Sequence, residues 1–193
     1  MEPQTGQIIR IALVGPESTG KSSLSAQLAN HYRTRWVPEY ARSFLEARGG
    51  AYAEADLWPI AAEQLQSIHR AEQAMKKVKS VQPLPLFIDT ELHVMRIWSE
   101  FVFHRCDDRI LKALADQPVD AFLLCDTDLP WQPDPLREQP DPLVRQRIFQ
   151  YYLDALVHQA LPWQRIQGQD ATRLNTAIQF VDRLMNEFPH IRI

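Results

Sequence analysis

Apolar residues along this chain alternate between two kinds of pattern. Five runs are short and nearly continuous: IIRIALVG (8–15), RWVPE (35–39), PLFID (85–89), AFLLCD (121–126) and WQRIQG (163–168). Runs of this length predict strands, and the mostly apolar ones predict strands covered on both faces. Between them, apolar residues recur at helical spacing. Leu24, Leu28 and Tyr32 mark a helix over 21–32, and Ile60, Ala61, Leu65, Ile68, Met75 and Val78 mark one over 60–78. Met95, Trp98 and Val102 lie on a third over 92–102, and Ile148, Tyr152, Ala155 and Leu156 on a fourth over 144–157. A last stripe runs through Leu174, Ile178, Val181, Leu184, Met185 and Phe188. Strands alternating with helices predict an α/β fold, an open parallel sheet with helices on both faces. Ligands in such sheets bind beyond the carboxyl ends of the strands. That directs attention to Gly15, Glu39, Asp89, Asp126 and Gly168.

Composition narrows the class. A chain of 193 residues, 45% hydrophobic and 23% charged, is expected to form one domain over 1–193 with a sizeable core. A net charge of −3 gives no general attraction for nucleic acid or an anionic membrane, so a phosphate site must be built locally. Cys106 and Cys125 form no C-x-x-C pattern, and MEPQTGQIIR lacks a basic start followed by an apolar stretch. A cytoplasmic protein is expected, with neither a membrane nor a nucleic acid as partner. His93, His104 and Cys106 match no zinc spacing and are expected to pack or face solvent.

The strongest chemical signal is GPESTGKS (15–22), a G-x-x-x-x-G-K-[ST] sequence between the first strand and the first helix. Its backbone, Gly15, Pro16, Glu17, Ser18, Thr19, Gly20, Lys21, Ser22 and Ser23, is expected to bind the phosphates of ATP. Lys21 would act as a point charge on the outer phosphates and the Ser22 hydroxyl as a ligand of Mg2+. Asp89, ending an apolar strand, reads either as a second magnesium-site carboxylate or as a helix N-cap. No N-K-x-D guanine-reading sequence and no second P-loop occur, so a GTPase or transport ATPase is disfavoured. A small-molecule kinase fits better.

WVPEYAR (36–42) suits an acceptor site. Glu39 reads as the group that accepts a substrate hydroxyl proton, or as a solvated carboxylate at a helix start. Arg42 would orient the substrate, and Tyr40 and Trp98 either stack on a flat ring or pack in the core. Together GPESTGKS, VPEYAR, FIDT and the later W…DPLR resemble the ribosylnicotinamide kinase domain of NadR-type proteins, from about residue 8 to about residue 186. The resemblance implies a three-layer P-loop fold, about five parallel strands and a lid after strand four. It also implies ATP-dependent phosphorylation of the 5′-hydroxyl of nicotinamide riboside. Two departures stand out: Asp89-Thr90-Glu91 replaces the frequent D-T-D, and Pro135 replaces a lid glycine. No H-x-G-H nucleotidyl-transfer motif and no DNA-binding helix-turn-helix is found in these residues. Other acceptors, or a nucleotide-dependent sensor without turnover, are the alternatives.

The lid is expected over 127–147. Residues 127–142 hold five of the fourteen prolines, which exclude a helix or central strand there and predict a stiff, extended flap. Arg137 is expected to close onto the transferring group, helped by Arg145 or Arg147. Asp141 is expected to cap the helix that follows, with Pro142 at its first position.

Overall fold

A computed structural model of the chain describes residues 7–80, 82–116 and 119–191, the last four as backbone only. The five apolar runs form β1 (Ile8–Val14), β2 (Trp36–Val37), β3 (Leu84–Asp89), β4 (Ala121–Cys125) and β5 (Trp163–Ile166). The helices are α1 (Lys21–His31), α2 (Tyr40–Ala47), α3 (Glu54–Met75), α4 (Leu92–Phe103), α5 (Asp108–Asp116), α6 (Pro142–Val157) and α7 (Asp170–Ile191). The strands make one five-stranded sheet in the order β2-β3-β1-β4-β5, and every pairing is parallel.

The alternation of β1 sorts the layers. Ile9, Ile11 and Leu13 face α1 and α7, packing with Leu24, Leu28, Ala177 and Val181. Ala12 and Val14 face the other side, where Met75, Val94, Ile97, Phe149, Tyr152 and Leu156 come from α3, α4 and α6. Both faces of the central strands are therefore dry, as their continuous apolar sequence requires. A satellite core joins α2, α3, α4 and α5 through Ala41, Leu57, Ile60, Met95 and Ile110.

Several boundaries differ from the sequence expectation for definable reasons. Helices α2 and α5 were not predicted; at eight and nine residues each shows little more than two turns of periodicity. Helix α3 starts at Glu54, not Ile60. Pro59 reads as a boundary, yet α3 runs through it and gives up the one backbone hydrogen bond that its missing N–H would make. The Asp56 carboxylate also accepts the Ala53 N–H at 2.8 Å and caps the earlier start. At its other end α3 stops at Met75, and Val78 is 49% exposed rather than packed in the core. β2 shrinks to two residues because Pro38 has no N–H to continue the ladder. The side chain of Phe188 lies outside the described residues.

Phe122 has no exposed surface, and its ring meets His93 edge-on with centroids 5.0 Å apart. Phe122→Ala is expected to cost about 3–5 kcal/mol of stability, read from the midpoint of urea unfolding.

Candidate active site

Where β1 ends, the chain wraps through residues 15–20 and restarts as α1 at Lys21. Gly15 has φ 137°, and a Cβ there would stand 2.5 Å from the Cys125 carbonyl oxygen, so the loop can pass under the end of β4 only as glycine. Inside the loop, Thr19 Oγ1 donates to the Pro16 carbonyl at 2.8 Å. Lys21 Nζ donates to the Gly15 and Pro16 carbonyls, each at 2.9 Å. Two guanidinium groups hold it from behind. Arg145, 3% exposed on α6, donates to the Ser18 carbonyl at 3.1 Å.

Arg173, 5% exposed at the start of α7, donates to the Thr19 carbonyl at 2.7 Å and to Asp128 at 2.9 Å. It also reaches the Gly168 carbonyl at 3.2 Å. Sequence reasoning missed Arg173; its signal was position, a few residues beyond the carboxyl end of the fifth strand.

A cavity of about 510 Å3 opens over the loop. Residues 15–23 line it, with Glu39, Arg42, Trp98, Phe101, Arg137 and Arg173 among the others. Glu39 precedes α2 but makes no capping hydrogen bond. The Tyr40 N–H goes instead to Gln64 Oε1 at 2.8 Å, and Gln64 Nε2 donates to the Pro38 carbonyl at 3.3 Å. Buried Gln64 thus does the capping, and the Glu39 carboxylate is left on the cavity wall. Burial pushes its pKa up to about 6; Lys21 opposes that rise, while Asp89 and Glu17 add to it.

Asp89 ends β3 and is 1% exposed. Burial raises its pKa, against the pull of Lys21 and of a hydrogen bond from the Ser22 hydroxyl. Its Oδ1 is buried and makes no hydrogen bond. A desolvated carboxylate oxygen beside a hydroxyl fits a hard divalent cation, so Ser22 and Asp89 are the residues suited to Mg2+. The turn after Asp89 is strained: Thr90 has φ 70°, rare for a β-branched residue. Glu91, the departure from D-T-D, caps α4 by accepting the His93 N–H at 2.8 Å and lies 2.9 Å from His93 Nδ1.

The other residues predicted from sequence divide. Trp98 lines the cavity, whereas Tyr40 packs against Phe44, ring centroids 6.4 Å apart, and is not on the cavity wall. Arg42 lines the cavity but is paired with Asp134 at 2.7 Å and Glu46 at 3.2 Å. Arg145 supports the loop from behind instead of lining the cavity, and Arg147 is exposed outside it. Asp126 is tied off by Arg165 and Gln167.

The proline-rich segment lies across the P-loop. Glu17 Oε2 accepts the N–H groups of Glu138 and Gln139 at 3.0 and 3.1 Å, and Ser18 Oγ accepts that of Gln132 at 3.0 Å. Arg137 reaches Ser18 Oγ at 3.4 Å and stands over the Trp131 ring. The segment is not extended throughout. Asp134 opens a turn, accepting Leu136 N–H on its side chain and Arg137 N–H on its carbonyl, with Pro135 preset for the second position. Helix α6 then begins as expected: Asp141 accepts the Leu143 N–H at 2.7 Å and Pro142 opens the first turn.

A family model described as an AAA domain matches residues 10–173. The chain belongs to that family. Its sequence is also similar to the trifunctional NAD biosynthesis/regulator protein NadR of Escherichia coli, 26% identical over 92% of this chain. It spans 43% of the length of that relative. A solved NadR protein in complex with NR superposes with a TM-score of 0.74 at 20% identity, covering 94% of this chain and 50% of that one. Thymidylate kinase from Ehrlichia chaffeensis does so at 0.63 and 14% identity, covering 92% of this chain and 99% of that one. The fold is that of the P-loop kinases. Among the described residues no helix is long and apolar enough to cross a membrane.

Because one guanidinium ties the P-loop to Asp128 and to Gly168, Arg173→Ala is expected to weaken binding of AMP-PNP about tenfold, measured by calorimetry. Arg173→Lys should recover only part of that loss, since an ammonium cannot reproduce the fork.

Proposed function

We propose that this chain is a cytoplasmic, ATP-dependent kinase domain, spanning 1–193, that phosphorylates the 5′-hydroxyl of nicotinamide riboside to nicotinamide mononucleotide. One observation carries the reading: a P-loop and an uncapped, partly buried carboxylate, Glu39, share a cavity with the aromatic side chains Trp98 and Phe101. Nicotinamide riboside presents a pyridinium cation. Aromatic faces beside a carboxylate suit a flat cation, and Arg42 there is already neutralised by Asp134 and Glu46. The similarity to NadR and to a solved NadR protein in complex with NR supports the same acceptor.

In this mechanism the P-loop holds the triphosphate of ATP and Glu39 takes the proton of the ribose 5′-hydroxyl. That oxygen bonds to the γ-phosphorus as the bond to the ADP oxygen breaks, in line. Lys21 neutralises charge on the outer phosphates. Arg137, held by Ser18 at the loop, closes over the transferring group. Ser22 and Asp89 would hold Mg2+, which supplies further charge neutralisation on the phosphates. Burial suits Glu39 to proton transfer, because a carboxylate with a pKa near 6 is ionised at neutral pH and more basic than an exposed one.

Product formation from ATP and a panel of nucleosides tests the reading. Nicotinamide mononucleotide should form fastest; preference for a deoxynucleoside would reassign the acceptor, and tight binding without turnover would make the protein a sensor. The pH profile follows from the raised pKa of Glu39. As pH falls through about 6 the carboxylate protonates, and kcat/KM should drop about tenfold per unit below that point. Glu39→Gln should lower kcat about a hundredfold and remove that limb. Near-wild-type turnover of Glu39→Gln would remove Glu39 from the proton transfer.

A further inference from the structure

Glu138 belongs to the proline-rich segment and lines the cavity, yet no role follows for it from the P-loop or the phosphates. Its backbone N–H is held by Glu17 at 3.0 Å, which fixes where its side chain departs. Glu138 Oε2 accepts the Tyr52 hydroxyl at 3.1 Å. Tyr52 Oη in turn accepts the indole N–H of Trp98 at 2.8 Å. The Tyr52 ring stands perpendicular to Trp98, centroids 5.3 Å apart, and is also edge-on to Phe103.

The three groups form a directed chain, indole to phenol to carboxylate, each donating to the next. Burial and the neighbouring carboxylate keep the phenol protonated, with its pKa pushed up to about 12, so the direction holds across the working pH range. A formal negative charge at the end of such a chain polarises each link toward the indole. The electron-rich face of an indole is what a cation binds. Among the described residues no cation lies within ion-pair distance of Glu138. No direct ion pair therefore competes with Tyr52 for its carboxylate. It reaches Trp98 only because the segment over residues 127–141 lies closed on the P-loop.

We propose that Glu138 is a specificity-determining residue: through Tyr52 and Trp98 it selects a cationic ring over a neutral ring of the same shape. The proposal rests on the riboside kinase reading and adds to it that the charge preference comes from the lid and not from the acceptor strand. Glu138 is exposed, so solvent screening limits the effect to about fivefold, and added salt should shrink it.

The test compares nicotinamide riboside with benzamide riboside, a carbon-linked isostere that keeps the carboxamide and ribose but carries no charge. Glu138→Gln retains an oxygen acceptor for Tyr52 and removes only the charge. It should raise KM for nicotinamide riboside about fivefold at low salt and leave kcat, the KM for ATP and the KM for benzamide riboside unchanged. Calorimetric titration of the two ribosides in the presence of AMP-PNP should show the same selective loss. Equal losses for both ribosides would reduce the contact to a structural one, and no loss for either would remove Glu138 from recognition; both outcomes overturn the proposal while leaving the kinase reading intact. A wild-type protein that phosphorylates neither riboside overturns the kinase reading and this proposal together.

Discussion

Lys21 Nζ donates to two carbonyls of its own loop, and its charge opposes the rise in pKa of both Glu39 and Asp89. Those carboxylates come from separate strands, and burial pushes each toward its neutral form. Two desolvated carboxyl groups near one another repel, so keeping both ionised needs a nearby cation. The ammonium meets that need while the loop's carbonyls fix its position. Substituting Lys21 would therefore let the pKa of both carboxyl groups rise further and, in the proposed reaction, also remove a phosphate contact.

The sheet order delivers these groups to one place. With β2 beside β3 and β3 beside β1, the carboxyl ends of three adjacent strands set Glu39, Asp89 and Gly15 along one edge. On the other side of β1, β4 supplies both the carbonyl under which Gly15 passes and the segment that crosses the P-loop. The side of the cavity that carries Glu39 and that segment meet through Arg42 with Asp134 and Tyr52 with Glu138. The position of the segment over the P-loop and the shape of the opposite cavity wall are thus set by overlapping residues.

The fold was legible because its strands are short apolar runs bounded by polar residues, and because GPESTGKS carries its own strand–loop–helix context. Asp89 and Glu39 were legible as the polar ends of such runs. What stayed hidden depends on contacts between residues distant in sequence. Nothing near Glu39 announces that Gln64, from another helix, caps α2 and leaves the carboxylate free. Arg173 has no motif, and Tyr52 lies in a short stretch before α3 with no period to mark it. Arg145 and Arg147 look equivalent in sequence, but two residues on a helix is a rotation of some 200°, which buries one and exposes the other. For Tyr40 the packed alternative holds: helix α2, too short to be seen, turns its ring toward Phe44.

The proposed reaction requires this cavity to hold a phosphoryl donor and a hydroxyl acceptor at once, with Lys21 on one side and Glu39 on the other. A crystal structure with AMP-PNP and nicotinamide riboside both bound is the decisive test. The terminal phosphate analogue should lie against Lys21, and the ribose 5′-hydroxyl within hydrogen-bond reach of the Glu39 carboxylate. A riboside bound outside the cavity, or with its 5′-hydroxyl turned away from Glu39, would contradict the proposed transfer.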